Sequence, residues 1–199
     1  MGCRWDYTMS HQEECMGFHT FDPERADRLE DEARYRWCSS EELLSLLGPH
    51  EEAVVADLGS GTGFYTDHVA PYARHVYAVD IQPEMHDWYE ENGVPENVEL
   101  VTASVEDLPF DDDELDRAFS TMTYHEFSGT EAITELARVL KPGGSLVLVD
   151  WTSTGEGRDG PPLAERHDLG EAVSALSERG FTVDTAVSRT ETFVCRARR

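Results

Sequence analysis

Three acids, one imidazole and a run of alternating glycines carry the chemistry open to this sequence. In Asp57-Leu58-Gly59-Ser60-Gly61-Thr62-Gly63 an acid precedes three glycines, each separated by one small polar residue. Glycine lacks a Cβ and accepts positive φ, so such a stretch lets backbone approach a ligand closely. A second acid, Asp80, comes 21 positions after Gly59, a separation that suits acceptance from both hydroxyls of a ribose. Further on, Tyr124-His125-Glu126 places a phenol, an imidazole and a carboxylate in succession, each able to take or give a proton.

These residues need a frame, and the hydrophobic pattern supplies one. Apolar runs at 53–58, 75–81, 98–103, 115–121 and 145–151 alternate with amphipathic segments at 64–72, 83–92 and 130–140. Lys141-Pro142-Gly143-Gly144 is read as the end of the last of these, a cation at the negative helix end followed by breakers. After a Gly/Pro-rich loop over 152–167, Asp168-Leu169-Gly170-Glu171 starts a further helix, and strands at 181–187 and 192–197 close the chain. Repeated β-α-β predicts an α/β three-layer sandwich whose seven-stranded sheet is mostly parallel, with its last strand antiparallel and a ligand at the carboxyl ends of the strands. Before the first strand, Asp22-Pro23-Glu24 predicts a helix to about Trp37, and Ser39-Ser40-Glu41-Glu42 predicts a second with a capping box and Leu43, Leu44, Leu46 and Leu47 inward. Both are expected across one end of the sheet. The chain thus divides into an extension over 1–49 that covers the site and a ligand-binding domain over 50–199.

Two ligand classes suit the glycine loop. A dinucleotide needs Gly-x-Gly-x-x-Gly and a pyrophosphate on the following helix; here the third glycine position is Phe64, and Asp57 points an anion at the crevice. S-adenosylmethionine (SAM) carries an ammonium and a sulfonium, a ribose diol and no phosphate, and it fits an acidic strand end better.

With these residues in place, the chain resembles the class I SAM-dependent methyltransferases, which have a Rossmann-like fold. Asp57 to Gly63 is similar to their first motif and Ala78-Val79-Asp80 to their second. Glu106-Asp107-Leu108-Pro109-Phe110 resembles the loop after their third strand, and Leu136 to Gly144 their segment before the fifth. The motifs occur in order and cover 50–199; the closest resemblance is to the small-molecule branch that includes ubiquinone/menaquinone-type C-methyltransferases. The resemblance implies that Asp57 holds the methionine ammonium, directly or through water. Gly59, Ser60 and Gly61 would face the methionine moiety, Asp80 the ribose, Ile81 the adenine, with Val105 and Glu106 at its other edge and the Thr121 carbonyl on the ammonium. Where relatives carry Gly-Asp-Ala, this chain has Ala103-Ser104-Val105, so Ser104 or Glu106 stands in for the usual adenine contact. His125, Tyr124 and Glu126 are the candidates for a base or for a pocket wall. Tyr35, Trp37 and the loops over 122–127 and 151–166 would shape a small-molecule acceptor, with Trp5, Phe18 and Phe21 closing over it. The expected function is methyl transfer by in-line displacement, with SAM as cofactor. Its rivals are a non-catalytic SAM-binding protein, a dinucleotide-dependent oxidoreductase, and arsenite methylation through Cys15, Cys38 and Cys195.

Composition sets the outer limits. The chain has 41 acids against 16 bases, a net charge of −25, and Lys141 is its one lysine. Such a surface repels itself at low ionic strength and is relieved by salt, so adaptation to high salt is expected. The same charge argues against nucleic acid as substrate, since phosphate binding needs clustered cations. The four cysteines include no Cys-x-x-Cys, and a disulfide framework is not expected at this size. His11, Cys15 and His19 would share a helix face and with Cys3 could hold zinc, but the spacing matches no known finger and the expectation is no metal. No apolar run reaches membrane-spanning length and the first residues lack the apolar core of a signal peptide, so a cytoplasmic location is expected.

Overall fold

A computed structural model describes residues 20–199; the zinc candidates Cys3, His11, Cys15 and His19, with Trp5 and Phe18, lie outside them. At its centre, β1 (Val54–Leu58) is buried at every position. Val54, Ala56 and Leu58 face one core, while Ala53 and Val55 face the other. A strand covered on both sides reads as a continuous apolar run rather than an alternation. β1 pairs in parallel with β2 (His75–Asp80) and β4 (Leu115–Thr121). β3 (Val98–Thr102), β5 (Leu140–Trp151), β6 (Thr182–Ser188) and β7 (Thr192–Arg198) complete a seven-stranded sheet in the order β3-β2-β1-β4-β5-β7-β6. β7 runs antiparallel to both its neighbours and the other pairings are parallel. The expected sheet is the observed one.

Helices cover both faces. On one, Leu43 and Leu47 of α1 (Ser40–Leu47) and Val69 of α2 (Thr66–Val69) pack with Val55, Phe119, Val147 and Val149. On the other, Ile133 and Leu136 of α4 (Thr130–Val139) and Ala172 and Leu176 of α5 (Leu169–Glu178) pack with Leu58, Ala118 and Leu148. α3 (Pro83–Asn92) follows β2. A full capping box forms at α5, with Asp168 accepting from Glu171 N at 2.9 Å and Glu171 accepting from Asp168 N at 2.8 Å; at α1, where one was expected, only half forms, Ser39 Oγ accepting from Glu42 N at 3.2 Å while the Glu42 carboxylate turns to Arg189.

The N-terminal elements differ from expectation. The single helix over 22–37 is two 3-10 helices, Pro23–Glu30 and Glu32–Arg36. Asp31 separates them because its carboxylate accepts from Ala33 N at 2.8 Å and starts a new turn. α1 lies on the sheet face rather than across its end, since α2 is one turn long and leaves β4 and β5 to be covered. The segment over 64–72 breaks into α2 and a 3-10 turn, Ala70–Tyr72, at Pro71, which has no N–H to donate. Lys141 to Gly144 do not follow a helix into a loop before β5. The chain enters β5 at Leu140, opposite Leu115, loops out over 141–144 and rejoins at Ser145 opposite Arg117. Lys141 turns to Asp116, with Nζ 2.7 Å from Oδ1.

Candidate functional site

The strand order reverses between β1 and β4, so their carboxyl ends diverge and leave a crevice. The glycine loop fills the floor of that crevice and is bonded from within. Gly59 N and Ser60 N both donate to Val79 O, at 2.8 and 2.9 Å, and Gly63 N donates to Ser60 O at 3.0 Å. Gly61 N donates to Asp80 Oδ2 at 2.8 Å. Four of the amides that would have to cradle a pyrophosphate are therefore already bonded, which argues against a dinucleotide more directly than Phe64 does. Close packing explains two of the glycines: a Cβ on Gly59 would overlap the Thr123 side chain, and one on Gly63 the Tyr89 ring.

Asp80 is fixed twice, since its Oδ1 also accepts from Gln82 N at 2.9 Å. Burial raises its pKa against the pull of the Gln82 and Gly61 amides. Each oxygen retains a lone pair, so the carboxylate braces the loop and can still accept from a ligand. Asp57 sits behind the loop. Its Oδ2 accepts from Thr66 Oγ1 at 2.6 Å, and its Oδ1 is buried without a partner. Burial pushes its carboxyl up to about 7, against the Thr66 hydrogen bond and the nearby Arg34 cation.

Above the loop lies an open cleft of about 1100 Å³, the solvent at its mouth included. Gly59, Ser60, Gly61, Asp80, Ile81, Val105, Thr121 and Glu126 line it, as do Ser104, Arg34 and Trp151. Asp57, Glu106, Tyr124 and His125 do not. Glu106 is exposed, and Ser104 takes its place at the wall. Tyr124 belongs to the core, where its ring meets Phe127, His167 and Phe193.

The three neighbours diverge because Tyr124–Glu126 is a 3-10 turn, in which successive side chains point about 120° apart. Tyr124 points to the core, His125 to Asp150 and Glu126 to the cavity. Asp150 is fully buried and its carboxylate lies 3.1 Å from His125 Nδ1. A carboxylate there only accepts, so Nδ1 carries a proton. Nε2 is buried without a hydrogen-bond partner, 3.9 Å from Glu126 Oε1. Burial alone would lower the His125 pKa, but Asp150 and Glu126 raise it overall. Burial pushes the Glu126 carboxyl up to about 8, with His125 opposing and Asp80 and Asp150 reinforcing the shift.

Aromatic groups close the outer end. Trp37 meets Trp151 edge to face at 5.1 Å between centroids, and Phe127, Met122 and Phe21 also reach the cavity. Met122 adopts φ 63, an uncommon conformation for a residue with a side chain. Arg166 ties the loop after β5 in place, donating to Pro161 O at 2.8 Å and to Asp159 O and pairing with Glu191 at 3.3 Å. Met122 and Phe127 belong to the 122–127 loop expected at the acceptor; Arg34 went unnoticed in the sequence as a site residue. Cys38 and Cys195 are buried, and burial pushes their thiols up to about 12 and about 11. Neither lines the cavity where an arsenite acceptor would have to meet it, and Cys15 lies outside the described residues.

Residues 56–148 match a protein family described as a methyltransferase domain. A solved SAM-dependent methyltransferase from Aquifex aeolicus is similar over 90% of this chain and 99% of its own, with 30% identity and a TM-score of 0.81. The chain belongs to the class I SAM-dependent methyltransferases. Among curated relatives, an uncharacterized methyltransferase of Mycobacterium bovis is 36% identical over 147 residues, 68% of this chain and 59% of that protein. This methyltransferase chain therefore spans about three fifths of the length of that relative. The ubiquinone/menaquinone biosynthesis C-methyltransferase of Vibrio campbellii is 35% identical over 109 residues, 49% of this chain and 41% of its own. The family's cofactor, SAM, fits the site: the loop offers no free row of amides for a phosphate, a fixed acid stands at the end of β2, and a buried oxygen of Asp57 lacks a partner. No helix among the described residues is long and apolar enough to cross a membrane.

Proposed function

We propose that the protein transfers a methyl group from SAM to a small-molecule acceptor by in-line displacement, with Glu126 as base where the acceptor carries a proton. The observation that carries this reading is the continuity of one cavity from the glycine loop and Asp80 to Glu126 and Trp151. Donor and acceptor ends share a single cavity. In this reading Asp80 takes the ribose hydroxyls, and Ile81, Ser104 and Val105 the adenine. Gly59 to Gly61 and the Thr121 carbonyl take the amino-acid end, with the Asp57 carboxyl behind them. When bound, SAM supplies a methyl carbon activated by its sulfonium. The chain's own residues then have three tasks: to orient the two reactants, to exclude water, and to take a proton. Trp37, Trp151, Phe127 and Met122 wall the acceptor end and keep it dry. Glu126 receives the proton at its carboxylate; His125, held by Asp150, sets the charge beside it.

A chain this acidic would keep polyanions out of that mouth, which supports a small acceptor over nucleic acid. The test is incubation of the purified protein with SAM labelled in the methyl group and a cell extract split by size. Label in the small-molecule fraction is the expected result. Label only in protein or nucleic acid, or none with SAM bound, would overturn the reading; the last outcome is the non-catalytic alternative.

A further inference from the structure

Arg34 stands outside the matched methyltransferase segment, on the second 3-10 helix, and lines the cavity beside Leu29, Gly59, Ser60 and Gly61. Its guanidinium lies over the rings of Phe64 and Tyr65, 4.8 and 5.1 Å from their centroids. Its Nη1 donates to Leu29 O at 2.5 Å. None of the ion pairs among the described residues includes it. Yet the chain has 41 acids from which to choose a partner. The nearby acids Glu30 and Asp57 act on it only at longer range, and burial disfavours its charge. A guanidinium has five N–H donors in a planar fork that matches a carboxylate, and that of Arg34 is partly buried with no carboxylate on its fork. The arrangement makes sense with an anion in the cavity.

We propose that Arg34 binds the carboxylate of the donor's amino-acid head, so that the N-terminal segment completes the cofactor site. This rests on SAM being the ligand. SAM has one anionic group, its α-carboxylate, and Asp80, Ile81 and Ser104 assign the ribose and adenine to the other end of the cavity. The ammonium then faces the Thr121 carbonyl and the Asp57 carboxyl, while the carboxylate faces Arg34, the one cation among the described residues of the lining. The segment is held for this role. Glu30 Oε1 accepts from Thr62 Oγ1 at 2.5 Å, Leu29 packs on Gly61, and Phe21 O accepts from Gln82 Nε2 at 3.1 Å.

Two ligands separate the head from the rest. S-adenosylhomocysteine keeps the amino-acid head; 5′-methylthioadenosine has the same nucleoside and thioether but lacks it. Calorimetric titration of both into wild type, Arg34→Met and Arg34→Lys tests the assignment. Arg34→Met is expected to weaken S-adenosylhomocysteine by about 10- to 100-fold and to leave 5′-methylthioadenosine within about twofold. Arg34→Lys, which keeps the charge and loses the fork, is expected to fall between. Retained binding of 5′-methylthioadenosine certifies the fold of each variant. Equal losses for both ligands would assign Arg34 to packing and overturn the proposal, as would undiminished S-adenosylhomocysteine binding. A wild type that binds neither ligand would overturn the cofactor assignment itself.

Discussion

Asp150 holds His125 at two points: Oδ2 accepts from the His125 backbone N at 2.6 Å, and the carboxylate lies 3.1 Å from Nδ1. The imidazole cannot turn, and its far nitrogen is committed to the side where Glu126 stands. A carboxyl pushed up to about 8 by burial, with a histidine opposing that shift, gives the pair a definite pH signature. The base form of Glu126 requires deprotonation, so kcat/KM should rise with pH and level off above about 8. Glu126→Gln should abolish that inflection and lower the rate by about 10²- to 10⁴-fold. His125→Ala removes a neighbouring cation, so the inflection should move to higher pH. A profile unchanged in Glu126→Gln would remove Glu126 from the chemistry. The sign for stability is opposite to that for rate. Between 4.5 and about 8 the folded chain holds a proton at Glu126 that the unfolded chain has lost, so this group's contribution to stability declines as pH rises through that window.

Gly63 and Gly93 make a matched pair for testing the loop. Both have positive φ, 88° and 100°, but a Cβ on Gly63 would enter the Tyr89 ring while one on Gly93 would meet nothing within 4 Å. Tyr89 is anchored by its hydroxyl, which donates to Asp67 at 2.5 Å. Gly93→Ala should cost about 1–2 kcal/mol through backbone strain alone. Gly63→Ala should cost about 4 kcal/mol through strain and overlap together, a fall in Tm of about 8–16 °C. Denaturant melts of the two variants check this, and equal losses would show that Tyr89 yields.

Salt should stabilise the chain. With a net charge of −25, screening lowers self-repulsion in the folded state, where charges are closest. Relief of about 3 kcal/mol between 0.1 M and about 2 M KCl would raise Tm by about 6–12 °C. A melting temperature flat across that range would show that the surface spaces its charges well enough without salt.

The parts legible in the sequence are those fixed by neighbours along the chain. The sheet declared itself because Ala53 to Ala56 and Leu146 to Val149 are apolar without interruption, which a strand covered on both faces needs. Gly59 to Gly63 and Asp80 were legible because a tight loop and an acid at a strand end each require particular residue types. Tyr124 and Glu126 were not separable, since a single 3-10 turn sends one to the core and the other to the cavity. Arg34 was illegible for a different reason. Its place depends on residues 20–37 folding back over the loop, held by Glu30 on Thr62 and by Gln82 on Phe21. Asp31, one acid among many in the sequence, breaks that segment because of where its carboxylate turns.

The two short 3-10 helices that carry Arg34 have a consequence for the living protein. Turns of this kind are weak on their own, so the order of residues 20–37 and the occupancy of the donor site become two readings of one equilibrium. Donor at a hundred times its Kd adds about 2.7 kcal/mol to the folded form, and whatever pulls the segment away loosens the donor by the same factor that the donor tightens the segment. With Arg34 on the donor's carboxylate, residues 20–37 should resist proteolysis better in saturating donor than without it.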